Sequence, residues 1–276
     1  MTVAERLCAT PCGPAIDFAG GTVVHINAGI SALVLVVVMG RRARFSTPHK
    51  PHNIPITVLG AALLWFGWFG FNAGSAFGAN GTAGLAWVNT TVATAGAMLG
   101  WALVERIRDK HVTSLGMASG VVAGLVAITP SCSSVNVVGA LVIGFAAGAL
   151  CALAVGLKFK FGFDDSLDVV GVHLVGGIVG TLLVGLVATK EAPAGVAGLF
   201  YGGGFDQLWR QAVGAGHGDH PAVREVDDPE PLGEQSLLTQ RVAVVGGHAG
   251  VGPVAAIALI IEMPELGAMS SKEAAS

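Results

Sequence analysis

HVTSLGMASGVVAGLVAITPSCSSVNVVGALVIGFAAGALCALAVGL, residues 111–157, runs without a single Asp, Glu, Lys or Arg. A bilayer core needs about 20 apolar residues per helical crossing, so this stretch holds two crossings and the turn between them. The turn is written as Pro130–Ser134, where proline and small hydroxyl residues gather. Outward from there the same pattern recurs, and six spans are expected: Phe18–Met39, Ile54–Ala76, Thr82–Val104, Ser114–Pro130, Val137–Leu157 and Val169–Thr189. Periodicity alone does not separate a buried soluble helix from a spanning one. Six such stretches in succession do, and the expected fold class is all-α, a polytopic membrane helix bundle. Breaks at Pro48, Pro51 and Pro55 and at Asn80-Gly81 separate the other spans.

Composition agrees. Hydrophobic residues make up 53% of the 276 and charged residues 12%, about half the charge of a soluble domain. Glycine supplies 41 residues, about twice its ordinary share; it is common where membrane helices approach closely. Gly70/Gly74, Gly116/Gly120/Gly124 and Gly144/Gly148 stand at helix-packing spacing. A net charge of −3 with no basic stripe excludes nucleic-acid binding. Cys8, Cys12, Cys132 and Cys151 lack metal-ligand spacing and read as small packing residues; neither metal nor cofactor is expected. The N-terminal MTVAERLCATPCGPAID has no apolar signal-peptide core, so insertion falls to the internal spans.

Lys and Arg set the orientation. Arg41, Arg42, Arg44 and Lys50 follow the first span, Arg106, Arg108 and Lys110 the third, and Lys158 and Lys160 the fifth. The turns around Asn80 and Ser131–Asn136 carry none. This nine-to-zero split puts the basic loops in the cytoplasm. Asp17 then lies at the outer end of the first span, and Asp165 and Asp168 at the inner end of the sixth.

Asp17-x7-His25-Ile26-x2-Gly29-Ile30 and Asp165-x7-His173-Leu174-x2-Gly177-Ile178 share one pattern. The charge rule runs one inward and the other outward, as in an inverted-topology repeat whose site lies near the midplane. A single histidine inside a span is adequately explained by an inter-helix hydrogen bond. Two at matched positions point to a cavity, because an ionisable residue in a membrane helix needs a partner or water. Paired neutral imidazoles can bind each other, leave a nitrogen for a small polar solute, or relay a proton. In the second span, Trp65 reads as an interfacial anchor. Trp68, Phe71 and Ser75 share one helical face, where aromatic faces and a hydroxyl can hold a small cation. Asp17 at a helix start reads first as a cap, with a long-range electrostatic role besides. No carboxylate pair, metal cluster or nucleophile motif supports an enzyme.

These residues also carry a resemblance. DFAGGTVVHINAGISALV (17–34), WFGWFGFNAGSA (65–76) and DVVGVHLVGGIVG (168–180) resemble signature segments of the ammonium transporter (Amt/Mep/Rh) family. KPHNIP, NTTVATAGAMLGW and ASGVVAGLVAITP are similar to it in order and spacing, and the likeness runs from about Ile16 to Gly216. The resemblance implies a homotrimer in the plasma membrane, each protomer an eleven-helix bundle with inverted repeats and its own narrow pore. It implies His25 and His173 as the pore pair, Ser75 as the ammonium contact, Trp68 and Phe71 as vestibule and gate, and Asp17 as support for the outer site. Ammonium would be recruited outside and deprotonated, with ammonia and a proton crossing separately; a PII-type protein is the implied regulator.

The likeness begins at the family's fifth helix and ends at its tenth. The chain therefore divides into a short segment 1–16, a transporter-like domain 17–216 and a divergent polar tail 217–276. Within the tail, Val242–Ile261 is apolar but holds four glycines, Pro253 and His248. Three readings follow: ammonium transport, a truncated non-transporting remnant or interaction partner of intact subunits, and a passive gas or water channel on the same scaffold. In the remnant reading, the histidine-bearing and hydroxyl-bearing faces are expected to meet lipid, which is costly.

Overall fold

The structure is a computed structural model and describes residues 15–42, 45 and 52–217. The described residues all belong to one compact unit. Cys8, Cys12, Arg44, Pro48, Lys50, Pro51 and the tail beyond His217, with its apolar Val242–Ile261 segment, lie outside the described residues.

Among the described residues seven α-helices follow one another: α1 Asn27–Met39, α2 Ile54–Gly74, α3 Gly81–Arg108, α4 Ser114–Ile128, α5 Val137–Phe161, α6 Val175–Val187 and α7 Asp206–His217. A π-helical turn opens α1 (Gly21–Ile26) and another opens α6 (Val170–Leu174). Among the described residues there is no strand beyond one isolated bridge, Val135 to Ala188. The fold is all-α, as expected.

Polar side chains start the helices where the sequence breaks. Asn53 Oδ1 accepts from Ile56 N (3.0 Å), Asn80 Oδ1 from Ala83 N (3.0 Å), Thr113 Oγ1 from Gly116 N (2.9 Å) and Asn136 Oδ1 from Gly139 N (2.8 Å). Each satisfies a backbone donor that the first helical turn cannot. Among the described residues four helical segments are long and apolar enough to cross a bilayer: Gly21–Met39, Ile54–Gly74, Val137–Phe161 and Val170–Val187. The other two expected spans differ. The third lengthens to the 28 residues of α3 and is more polar, because Asn89, Thr90 and Thr94 are buried against neighbouring helices rather than facing lipid. The fourth shortens to 15 residues and hands over to the buried turn at 129–135.

The core lies between α3, α4 and α5, and glycine makes it close. A Cβ at Gly144 would meet the Ala93 carbonyl, and one at Gly148 the Ala97 carbonyl. From α4, a Cβ at Gly124 would stand 2.7 Å from Ala97 Cβ and from Thr94 Cα. Ala86, Ala93, Ala127, Ile128, Ala140, Ile143 and Ala147 fill the remaining space. Gly70 and Gly74 share this spacing but behave otherwise: nothing lies within 4 Å of either added Cβ, nor at Gly60 or Gly67. The glycine face of α2 therefore has no partner among the described residues.

The three basic stretches gather at one end. Arg41 Nε donates to the Gly162 carbonyl. Arg42 N and Nε both reach Asp164 Oδ2, at 3.0 and 2.9 Å. Arg108 Nη1 donates to Ala152 O at 2.9 Å, tying the end of α3 to α5. The Arg42 backbone N–H first, then its charge, holds the Asp164 carboxyl below the usual carboxylate range. With the nine-to-zero charge asymmetry, this common end should be cytoplasmic. A cysteine at Arg42 or Arg108 is expected to react with an impermeant maleimide only after the inner face is opened. Labelling on intact cells would reverse the assignment.

Candidate pore site

Two carboxylates build the start of the site. Asp17 Oδ1 accepts from Gly20 N (3.1 Å) and Gly21 N (2.5 Å), and Oδ2 from Thr22 N (2.9 Å) and Val23 N (3.2 Å). Gly20 makes this possible with a φ of 104°, a left-handed value that a side chain disfavours. Asp165 does the same for the second repeat, accepting from Val169 N (2.9 Å) and Val170 N (2.8 Å). Four aligned donors on one carboxylate neutralise a helix start that would otherwise be costly in a membrane. Asp168 caps nothing with its carboxylate. Its side chain pairs instead with Lys158 Nζ at 2.5 Å, with its backbone in the left-handed region at φ 58°.

From each carboxylate the chain enters a π-turn, closed in the first repeat by His25 N donating to Gly20 O at 3.1 Å. Such wide turns concentrate at functional sites. Here each carries a histidine near its end, His25 in GTVVHI and His173 in VGVHL.

The two turns then pack reciprocally. Gly29, four residues after His25, lies against Leu174, the residue after His173. Gly177, four after His173, receives Ile26, the residue after His25, with its added Cβ 2.9 Å from Ile26 Cγ1. The two repeat glycines thus let the segments cross closely enough for their histidines to meet. His25 Nδ1 and His173 Nδ1 are 3.3 Å apart, with ring centroids 5.3 Å apart and planes inclined by 44°.

The second-span face closes over this pair. Trp68 stacks on His25, with centroids 5.3 Å apart and planes within 16°, and Phe71 stands 6.0 Å from the same ring. His25 is 3% exposed. Its Nε2 has no hydrogen-bond partner among the described residues. Ser75 is not drawn to the histidines by any hydrogen bond; its Oγ donates to Phe71 O at 2.8 Å, one turn back along α2. Trp65 is partly buried and packs against the apolar cluster that holds Trp68 and Trp101.

The pair has a defined proton count. Two neutral imidazoles joined Nδ1 to Nδ1 share one proton in that bond, so one ring must carry its proton on Nε2. If His25 donates, its buried Nε2 is a bare acceptor; if His173 donates, His25 Nε2 is a donor. The site can therefore offer a small nitrogen solute either a proton acceptor or a proton donor, in apolar surroundings.

Three polar anchors escaped the sequence reading. Thr22 Oγ1 and Thr181 Oγ1 meet at 3.2 Å between the repeats. Gln211 on α7, fully buried, accepts from Ile16 N (2.6 Å) and donates to Ile16 O (2.8 Å) and Thr181 O (3.0 Å). Thr129 accepts the Trp68 indole N–H at 3.1 Å. Neither the Thr129-Pro130 break nor the amphipathic α7 marks these side chains, since each partner is remote in sequence.

Among the described residues, a helix bundle with four bilayer-length segments, two crossed π-turns and a buried imidazole pair defines a polytopic membrane protein with an internal polar site. The profile of the Ammonium Transporter Family matches residues 2–217, and the chain belongs to that family. It is a multi-pass protein of the cell membrane, and its relatives are transporters rather than enzymes. The ammonium transporter of Mycobacterium tuberculosis (strain H37Rv) is 72% identical over 208 residues, which are 73% of this chain and 44% of the relative. That of Bacillus subtilis (strain 168) is 49% identical over 201 residues, 72% of this chain and 49% of the relative. The crystal structure of Candida albicans Mep2 superposes with a TM-score of 0.69 at 31% identity, covering 92% of this chain and 52% of Mep2. Saccharomyces cerevisiae Mep2 gives 0.64 at 35% identity, over 74% of this chain and 48% of Mep2. The chain spans about half the length of the relatives it matches.

Proposed function

We propose that this chain supplies the histidine-bearing wall of an ammonium-conducting pore. The observation that carries the reading is the His25–His173 pair at 3.3 Å, buried beneath Trp68 and Phe71. The aromatic faces attract a cation. The buried, poorly hydrated setting penalises charge and favours passage of the neutral amine. A bare His25 Nε2 takes the proton that ammonium gives up, and the shared Nδ1 proton lets the pair pass charge from one ring to the other. Asp17 and Asp165 act through the backbone they hold: their caps fix the π-turns, and their charges favour a cation in the approach. Asp168 secures the second repeat through Lys158. Ser75 contributes a hydroxyl to the same α2 face. In this reading the functional form is a homotrimer, and the basic end offers a surface to a PII-type regulator.

The test places this segment in a chain carrying the remaining helices of a homologous transporter and replaces His25 and His173 with Ala. Ammonium flux, or its selectivity over methylammonium, is expected to change at least tenfold, the order lost when a positioned proton-transfer group is removed. Trimer assembly should persist. Unchanged flux and selectivity would return both histidines to packing. A current that tracks uptake in the unsubstituted chain would separate ammonium passage from a neutral gas channel.

A further inference from the structure

We propose that Thr129 is a positioning residue for the histidine pair, acting through the Trp68 ring; this rests on the pore reading above. Thr129 sits at the end of α4, fully buried. Its hydroxyl hydrogen is directed to Leu125 O at 2.7 Å, and its oxygen accepts the indole N–H of Trp68 at 3.1 Å. One arrangement satisfies both bonds, so the hydroxyl cannot rotate away without leaving a buried donor unpaired. Trp68 has no other polar atom in its side chain. Apolar contacts hold its ring in place but let it slide and tilt, and the single N–H bond at its edge removes that freedom.

What the indole fixes, His25 feels. Among the described residues the His25 ring has one polar tether, Nδ1 to His173, and that single bond leaves the ring some freedom about its side-chain torsions. The Trp68 face, 16° from parallel, opposes that freedom. The next residue reinforces the link: Pro130 O accepts from Phe18 N at 3.0 Å, and Pro130 Cδ would lie 2.5 Å from a Cβ at Gly21. Residues 129 and 130 therefore hold the first repeat from two directions, one through its backbone and one through its histidine ring.

The test needs no transport. The chain, with 15N-labelled His and Trp, is placed in lipid bilayers and read by solid-state NMR. The Trp68 indole signal is assigned among the five tryptophans by its loss in Trp68→Phe, and the His25 signals by their loss in His25→Ala. Thr129→Val, similar in shape but without an acceptor, should shift the Trp68 indole and the His25 ring nitrogens by more than their linewidths. Thr129→Ser should restore both. In a Trp68→Phe background, Thr129→Val should move His25 no further. A Trp68 shift without a His25 shift, or a His25 shift that persists in full without the indole, would overturn the proposal. Should Thr129→Val fail to assemble, Trp68→Phe alone decides: His25 signals indifferent to the loss of the indole N–H overturn it. Absence of the Nδ1–Nδ1 coupling in the unsubstituted chain would instead count against the pore reading.

Discussion

Expressed by itself in cells lacking ammonium transporters, the 276-residue polypeptide should leave growth on limiting ammonium no better than in empty cells. A pore needs walls on every side, because an opening to the hydrocarbon core exposes polar groups without partners. The described residues wall the histidine pair with α2, α6 and the π-turns, but the glycine face of α2 (Gly60, Gly67, Gly70, Gly74) meets nothing within 4 Å. Glycine inside a helix costs about 1 kcal/mol relative to alanine. Four on one helix are explained when another backbone packs there, and the relatives hold about as much chain again beyond the matched part. A chain completed with those helices should restore growth. Rescue by the 276-residue polypeptide, in cells shown to hold no longer copy, would mean that half the fold encloses a conducting path.

The second large effect concerns stability. Gly144→Leu and Gly148→Leu should each prevent assembly of the bundle, and the alanine changes should each destabilise it. At both sites the obstacle is a backbone carbonyl of α3, Ala93 or Ala97, which cannot rotate aside as a side chain can. Overpacking of this kind costs about 1–3 kcal/mol for a small addition and more for a larger one, against a total of about 5–15 kcal/mol for a folded domain. Gly67→Ala, on the open face of α2, should change stability by about 0.5 kcal/mol or less, the usual range for sites without contacts. Fluorescence-detected gel filtration after a temperature ramp in detergent measures all five. Equal tolerance at Gly144 and Gly67 would show that the α3–α5 contact is looser than the structure has it.

That contrast shows where the sequence was readable and where it was not. The helix starts were plain because their loop signals are local, the prolines before α2, Asn80-Gly81 before α3 and the Pro130–Ser134 turn before α5. The histidine motif was plain because both copies carry the same local spacing, and Trp68 and Phe71 because positions three apart share a helical face. Gly70/Gly74 and Gly144/Gly148 carry identical spacing, yet only the second pair packs within the described residues. Spacing reports which side a residue is on, not what arrives there. The expectation that imidazole would face lipid missed for the same reason. His25 lies under Trp68 and Phe71, contacts set by how α2 folds back. The π-turns leave no local signature, since their extra residue costs only a slight rotation. Thr129 and Gln211 look like ordinary polar residues until their distant partners are placed beside them.

The bond between Gln211 and Ile16 has a consequence in time. The two residues are 195 positions apart, and a ribosome adds about 5–20 residues per second, so Ile16 emerges about 10–40 s before the side chain that binds it. The Ile16 backbone thus waits for its partner until α7 has been made. Through that interval the backbone donor and acceptor of Ile16 must be served by water, lipid headgroups or the insertion machinery. An interruption of synthesis between α1 and α7 would release a product in which the Asp17 cap is made but the Ile16 backbone still lacks the side chain that binds it.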